Sequence, residues 1–315
     1  MVLCLTEDDI KQLLTMDDCI EILDKLFKDE ANGRAENKPT IEFNPPGGGM
    51  FRIKAGIIDS WDSIGLKAYT IAGGRRLVFV FNLKTGFDGI VDSVHLTQIR
   101  TGAVSGLATR YMAREDARTV GIIGTGKEAR TQLEAVSRVR ALTHVKAYSR
   151  SAENRERYAI EMSKKLDLEV EPVDSAQTCV KGADIVITAT GSSTPVLMGE
   201  WLEEGMHINA IGATTMFKRE LDENAIGRCD RIVVEHLPQA EAELGQLLYA
   251  ASRGKMRWTT VHEMKDIVSG AIPGRTSPKQ ITLVSTIGVG TEDVAVAAEM
   301  MKKARALGIG SELPL

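Results

Sequence analysis

Thr119-Val120-Gly121-Ile122-Ile123-Gly124-Thr125-Gly126-Lys127-Glu128-Ala129 is the stretch that decides the fold. An apolar run ends in Gly124-x-Gly126-x-x-Ala129, and an amphipathic helical pattern begins there. In such a strand–turn–helix unit the first glycine permits a tight turn and the second lets the backbone approach a pyrophosphate. The small third residue lets helix and strand pack closely. The free N–H groups and partial positive charge of the helix N-terminus then favour phosphate. Gly124, Thr125, Gly126, Lys127 and Glu128 are the expected pyrophosphate-binding residues. A lone GxGxxA also occurs as a plain structural turn, so the surrounding pattern has to carry the reading.

Downstream, short apolar runs recur at 144–148, 168–170, 184–188, 207–211, 231–234 and 281–286, several of them separated by helix-like stretches. Alternating strand and helix predicts a doubly wound parallel sheet with helices on both faces. Upstream the texture differs. Two short helices are expected within residues 6–28, with Thr6 capping the first. After the loop Asn44-Pro45-Pro46-Gly47-Gly48-Gly49, β-like runs at 51–58, 65–71, 77–83 and 89–94 predict a small, mostly antiparallel sheet. A helix rich in small residues is expected over 97–112, and a last helix over 292–307.

The end of the second strand bears on the cofactor. An acidic residue there would bind the ribose 2′-hydroxyl of NAD. The chain has Tyr148-Ser149-Arg150-Ser151 instead. Two hydroxyls and a planar guanidinium suit a 2′-phosphate, so NADPH is expected over NADH.

Composition excludes other classes. Of 315 residues, 39 are Lys or Arg and 43 are Asp or Glu, a net charge of −4 that does not favour a nucleic-acid surface. The hydrophobic share of 43% and charged share of 26% are those of a globular chain and argue against disorder. No apolar stretch reaches the roughly 18 residues of a membrane span, and no signal peptide is read. Cys4, Cys19, Cys179 and Cys229 lack CxxC spacing, and the five histidines are scattered. No metal site is expected, and reduced thiols in a cytoplasmic protein are.

Three cations near strand or helix ends draw notice. Lys67 sits inside the apolar run Ile64-Gly65-Leu66-Lys67-Ala68-Tyr69. A lysine desolvated there would have a lowered pKa and could donate a proton near neutrality. Arg100, placed in the first turn of the 97–112 helix, would oppose the helix dipole and so hints at an anionic partner. Arg52 is the third. On spacing alone, each also reads as an ordinary surface cation.

These residues fall in an order that resembles the ornithine cyclodeaminase/mu-crystallin family over nearly the whole chain. The resemblance rests on Gly65-Leu66-Lys67, on Leu96-Thr97-Gln98-Ile99-Arg100-Thr101-Gly102-Ala103 and on the glycine turn. It continues through Asp184-Ile185-Val186-Ile187-Thr188-Ala189-Thr190, Gly205-Met206-His207-Ile208-Asn209-Ala210-Ile211-Gly212-Ala213, Arg219-Glu220-Leu221-Asp222 and Gly290-Thr291-Glu292-Asp293. It implies an α/β protein with a Rossmann-type sheet, residues 116–290, inserted in a smaller α+β domain. That smaller domain, residues 1–115 and 291–315, would bind substrate and form a homodimer.

The resemblance also implies roles. Lys67 matches the family's active-site lysine and Arg100 the arginine that binds the substrate carboxylate. Ala189, Thr190, Ile211 and Gly212 join the cofactor residues, with Ser149, Arg150 and Ser151 at the ribose. Beside what the resemblance implies, Phe51, Tyr69, Met216 and Phe217 are expected to shape the substrate pocket, with Tyr69 and Met216 as substrate-binding residues. Two departures matter. Cyclodeaminases carry an aspartate where this chain has Thr214, and threonine can neither serve as a carboxylate base nor offset an ammonium. The family's upstream arginine is missing from Pro39-Thr40-Ile41, and Arg52 could supply that charge. The implied activity is the ketimine reductase branch: NADPH-dependent reduction of a C=N bond next to a carboxylate, reversible as amino-acid oxidation. Two rivals stay open, a cyclodeaminase-type lyase with bound NAD and a non-catalytic NADPH-dependent small-ligand binder.

Overall fold

In the computed structural model, residues 2–70 and 74–314 are described. The chain divides into two compact units, Met1–Ala103 with Gly288–Leu315, and Val104–Ile287. The middle of the chain is therefore inserted between two segments of the first unit.

Thr6 starts the first unit's helices as expected: its hydroxyl accepts from Asp9 N at 3.3 Å while the Asp9 carboxylate accepts from Thr6 N at 2.8 Å, closing a capping box. The elements run β1 Val2–Leu5, α1 Glu7–Leu13, α2 Met16–Ala31, β2 Ala35–Asn37, β3 Ile41–Phe43, β4 Phe51–Ile58, β5 Ser63–Thr70, β6 Leu77–Asn82, β7 Gly86–Asp92 and α3 Val94–Met112. The last position of the 65–71 run, Ile71, lies outside the described residues. Strands β4 to β7 form an antiparallel meander, and β2 and β3 pair with β4. One edge differs from expectation. Strand β1 pairs parallel with β7, and the C-terminal β16 (Ser311–Leu313) pairs antiparallel with β1. Helix α3 also begins earlier than the sequence suggested. Its first residue is Val94, so Arg100 lies in the second turn, and the first-turn dipole argument does not apply to it.

The second unit holds β8 Thr119–Ile123, α4 Lys127–Val139, β9 His144–Tyr148, α5 Ala152–Leu166, β10 Glu169–Pro172, α6 Ala176–Val180, β11 Ile185–Thr188, β12 His207–Ala210, α7 Glu223–Gly227, β13 Arg231–Val234, α8 Leu237–Glu243, α9 Gly245–Ser252, β14 Val261–Glu263, α10 Met264–Val268 and β15 Thr282–Ser285. The sheet order is β10-β9-β8-β11-β12-β15-β13-β14, with every pair parallel. Alternation along β11 shows why both faces are covered. Ile185 and Ile187 join an apolar cluster with Leu133 of α4 and Tyr158 of α5, whereas Val186 joins a separate cluster with Ala225, Ala240 and Leu247. The chain then returns to the first unit through α11, Gly290–Leu307, which packs across β4 and β5.

Candidate active site

The first unit buries an unusual number of charges on one sheet face. Along β4, burial alternates so that Arg52, Lys54, Gly56 and Ile58 point inward. On β5, Lys67 lies directly opposite Lys54, and Tyr69 opposite Arg52. Like charges opposite each other on neighbouring strands destabilise a sheet unless counter-ions reach them. Helix α11 brings two into the same unit: Glu292 and Asp293, in its first turn, are 0% exposed. Lys67 Nζ lies 2.5 Å from Asp293 Oδ2. Arg100 Nη1 lies 2.9 Å from Glu292 Oε2, and its Nε 3.1 Å from Asp293 Oδ1. Lys54 Nζ donates to the carbonyl oxygen of Gly288 at 2.6 Å, and Arg52 Nε donates to Glu42 Oε2 at 2.7 Å.

These contacts set the protonation of Lys67. Its burial removes water from the ammonium and lowers the pKa, and the Arg100 and Lys54 charges push the same way; Asp293 opposes them. The balance brings Lys67 down from 10.5 to about 7. The Asp293 carboxyl is held below its ordinary value: burial pushes it up, but Arg100 and Lys67 outweigh that. Tyr69 offers its ring to Lys67 Nζ at 5.6 Å and to the Arg76 guanidinium at 5.3 Å. Lys67 is thus desolvated in its strand with a lowered pKa, as the apolar run around it suggested. The anionic partners found for Arg100 are the chain's own Glu292 and Asp293.

The second unit carries the phosphate turn. Gly124 has φ +108°, and a Cβ there would sit 2.3 Å from the Ala189 carbonyl oxygen, so the turn itself requires glycine. Gly126 is different. Its φ is −80°, and a Cβ would meet no atom within 4 Å. Neither backbone nor packing demands glycine at that position. It is the N-cap of α4 and offers no side chain of its own to cap the helix. A pyrophosphate lying against that backbone supplies the missing reason, so these residues fit a dinucleotide. The loop is braced from outside: Arg130 Nη1 donates to the Thr125 and Gly126 carbonyl oxygens at 2.9 Å each while Glu161 holds the guanidinium.

Next to the turn, Ser149 Oγ accepts from Thr125 Oγ1 at 3.0 Å and donates to the Ser151 carbonyl oxygen at 3.1 Å. The Ser151 hydroxyl caps α5, accepting from Asn154 N at 3.2 Å. Arg150 is exposed, as are Gly126 and Lys127, while Glu128 is half-buried. Ala189 and Thr190 follow β11, and Ile211 and Gly212 follow β12, so both pairs lie at carboxyl ends of neighbouring parallel strands, the usual ligand end of such a sheet. Thr214 is half-buried and Met216 is 56% exposed in the segment after Gly212. Both belong to the second unit, whereas Lys67, Arg52, Arg100 and Tyr69 belong to the first.

Sequence reasoning assigned no role to Lys54, Glu42, Glu292, Asp293 or Glu220. The Gly290-Thr291-Glu292-Asp293 motif was visible, but nothing local separates buried first-turn acids from solvated ones. Among the described residues no group of His, Cys, Asp and Glu could hold a metal ion, and no helix is long and apolar enough to cross a membrane.

Comparison with known proteins agrees with this geometry. Over 99% of the chain, the structure superposes on all of the Thermococcus litoralis Δ1-pyrroline-2-carboxylate reductase bound to NADH and L-proline, with TM-score 0.95 and 30% identity. An archaeal alanine dehydrogenase dimer with bound NAD matches at TM-score 0.93 and 29% identity, covering 100% of this chain and 99% of that one. The iminosuccinate reductase of Paracoccus denitrificans in complex with NAD+ matches at TM-score 0.93 and 28% identity, with the same coverage. The family model for ornithine cyclodeaminase/mu-crystallin proteins matches residues 2–307, and the chain belongs to that family.

Proposed function

We propose that the protein is a nicotinamide-dependent oxidoreductase that reduces a C=N bond next to a carboxylate, on a cyclic ketimine or a 2-imino acid. The observation that carries this reading is Lys67: a buried ammonium brought to a pKa of about 7 beside Asp293. Such a group gives up a proton readily at neutral pH. When bound, the reduced nicotinamide supplies a hydride to the imine carbon. Lys67 delivers the proton to the imine nitrogen, so the C=N π bond becomes one new C–H and one new N–H bond. Asp293 holds the Lys67 ammonium in place, and Glu292 and Asp293 fix the plane of Arg100. Arg52 and Arg100 bind the substrate carboxylate as planar donors. We assign Tyr69 and Met216 to substrate binding, and Thr214 to hydrogen bonding without acting as a base. In reverse, the same groups serve amino-acid oxidation, with Lys67 as the base.

Gly124, Thr125, Gly126, Lys127 and Glu128 take the pyrophosphate, with Ala189, Thr190, Ile211 and Gly212 on the nicotinamide side. We assign a preference for NADPH to Ser149, Arg150 and Ser151, because no carboxylate stands there to repel a 2′-phosphate. A homodimer is supported by the outer face of the small sheet, where Ile64 and Phe81 stand opposite each other and are 39% and 37% exposed. Four cysteines without disulfides support a cytoplasmic setting. The test is to mix the purified protein with NADPH or NADH and a panel of pyrroline-2-carboxylate, piperideine-2-carboxylate, pyruvate with ammonia, and iminosuccinate. Oxidation of NADPH by at least one is expected, and none on any would overturn the reading.

A further inference from the structure

We propose that Glu220 is a positioning residue for the nicotinamide cofactor, a buried latch that fixes the turns after β11 and β12 against each other. The inference rests on the cofactor reading above. Glu220 is 0% exposed. Its Oε1 accepts from Thr190 N at 2.5 Å and from Thr190 Oγ1 at 2.8 Å. Its Oε2 accepts from Gly212 N at 2.6 Å and from Thr188 Oγ1 at 2.9 Å. All four groups donate, so the carboxylate form satisfies them together, and each oxygen spends both of its lone pairs.

The latch is itself anchored. Gln246 Oε1 accepts from Glu220 N at 3.2 Å while Gln246 Nε2 donates to Ser285 Oγ of β15 at 2.8 Å. The two turns meet so closely that a Cβ at Gly212 would lie 2.0 Å from the Thr190 carbonyl oxygen and 2.5 Å from Glu220 Oε1. One carboxylate thus sets the separation of two turns whose backbones are assigned to the cofactor. Burying a carboxylate is costly, and four hydrogen bonds are what make it tolerable. A glutamine at the same place puts an NH2 against a backbone N–H, which leaves a buried donor unsatisfied and pushes the turns apart.

The experiment compares wild type, Glu220→Gln, Gly212→Ala and, as a control, Asp184→Asn. Asp184 stands at the other end of β11 and accepts from Arg118 N, Thr119 N and Thr119 Oγ1, so its loss disturbs the same sheet away from the turns. The readouts are the Kd of NADPH and NADH, measured by fluorescence on the folded fraction, and amide hydrogen exchange of the cofactor-free protein over residues 188–192 and 210–214. For Glu220→Gln and Gly212→Ala, Kd is expected to rise about tenfold or more, with faster exchange in both segments. Asp184→Asn should lower Tm and leave Kd within a factor of about two. If Glu220→Gln does not fold, the amide exchange of cofactor-free Gly212→Ala carries the test, because its Cβ separates the same turns and this readout does not depend on Gly212 touching the cofactor. Unchanged Kd and exchange in the latch variants, or an equal rise of Kd in Asp184→Asn, would overturn the latch. Failure of wild type to bind either dinucleotide would instead overturn the cofactor reading on which it rests.

Discussion

If Lys67 donates the proton, the rate of imine reduction should follow its protonated fraction. With a pKa of about 7, that fraction is one half at pH 7. It falls tenfold per pH unit above, to roughly one hundredth at pH 9. A lysine at its ordinary value of 10.5 would leave the profile flat over the same range. The assay is kcat/KM from pH 5.5 to 9.5 in both directions: imine reduction with NADPH, and oxidation of the matching amino acid with NADP+. Reduction should fall as pH rises through about 7, and oxidation should rise through it, because the base form is then required. The imine has a protonation equilibrium of its own, which acts only in the reducing direction. Asp293→Asn separates the two. Asp293 is the neighbour that raises the Lys67 pKa, at 2.5 Å, so its removal should move the Lys67 limb to lower pH. Loss of a charged partner this close is worth on the order of one to three pH units. Linkage adds a stability signature: between about 7 and 10.5 the unfolded chain holds the Lys67 proton and the native chain does not, so this group makes stability rise with pH there. Profiles flat to pH 9 in both directions, or a limb that Asp293→Asn leaves in place, would refute the role given to Lys67.

The two glycines of the phosphate turn should separate folding from binding. Gly126→Ala has room and an ordinary φ, so Tm should stay within about two degrees while the cofactor Kd rises about tenfold or more. Gly124→Ala meets a carbonyl oxygen at 2.3 Å with φ +108°, so thermal denaturation should show a loss of several kcal/mol. Arg150→Ala should lower the ratio of kcat/KM for NADPH over NADH by roughly tenfold or more, and an unchanged ratio would remove Arg150 from the 2′-phosphate site. Phe81→Glu puts a charge on the exposed apolar face of the small sheet, so if the proposed homodimer forms there, light scattering should show wild type as a dimer and the variant as a monomer, with an unchanged cofactor Kd.

Much of the second unit was legible because its central strands are short aliphatic runs buried on both faces, while β9 alternates buried and half-buried residues. The bounds 119–123, 144–148 and 231–234 read from the sequence match β8, β9 and β13. The small sheet was legible through alternation, with β4 found at its full length. Two of the strands that escaped lie at sheet edges. Strand β16 is three residues long and mostly exposed, and β14 is equally short, so neither leaves an apolar period to read. The start of α3 escaped for another reason. Its small residues give almost no amphipathic contrast, so the apolar period does not mark where the helix begins.

The candidate site was legible in its cations and not in its anions, and the reason is physical. A lysine between Leu66 and Ala68 in an apolar strand contradicts its surroundings, and that conflict shows locally. Two acids in the first turn of a helix contradict nothing, since they suit the helix dipole whether buried or solvated. What makes Glu292 and Asp293 unusual is their contact with Arg100, across 192 and 193 residues of chain. That separation is the inserted unit, Val104–Ile287. The same insertion therefore shapes Lys67, because its counter-ion arrives only when the chain returns at α11. Breaking a buried ion pair by removing one partner costs about 3–5 kcal/mol, so closure of the first unit and the tuning of Lys67 are one event energetically. A chain whose α11 has not docked leaves Arg100 and Lys67 without two carboxylates that hold them. Such a chain could bind dinucleotide through its second unit and still lack the poised proton donor.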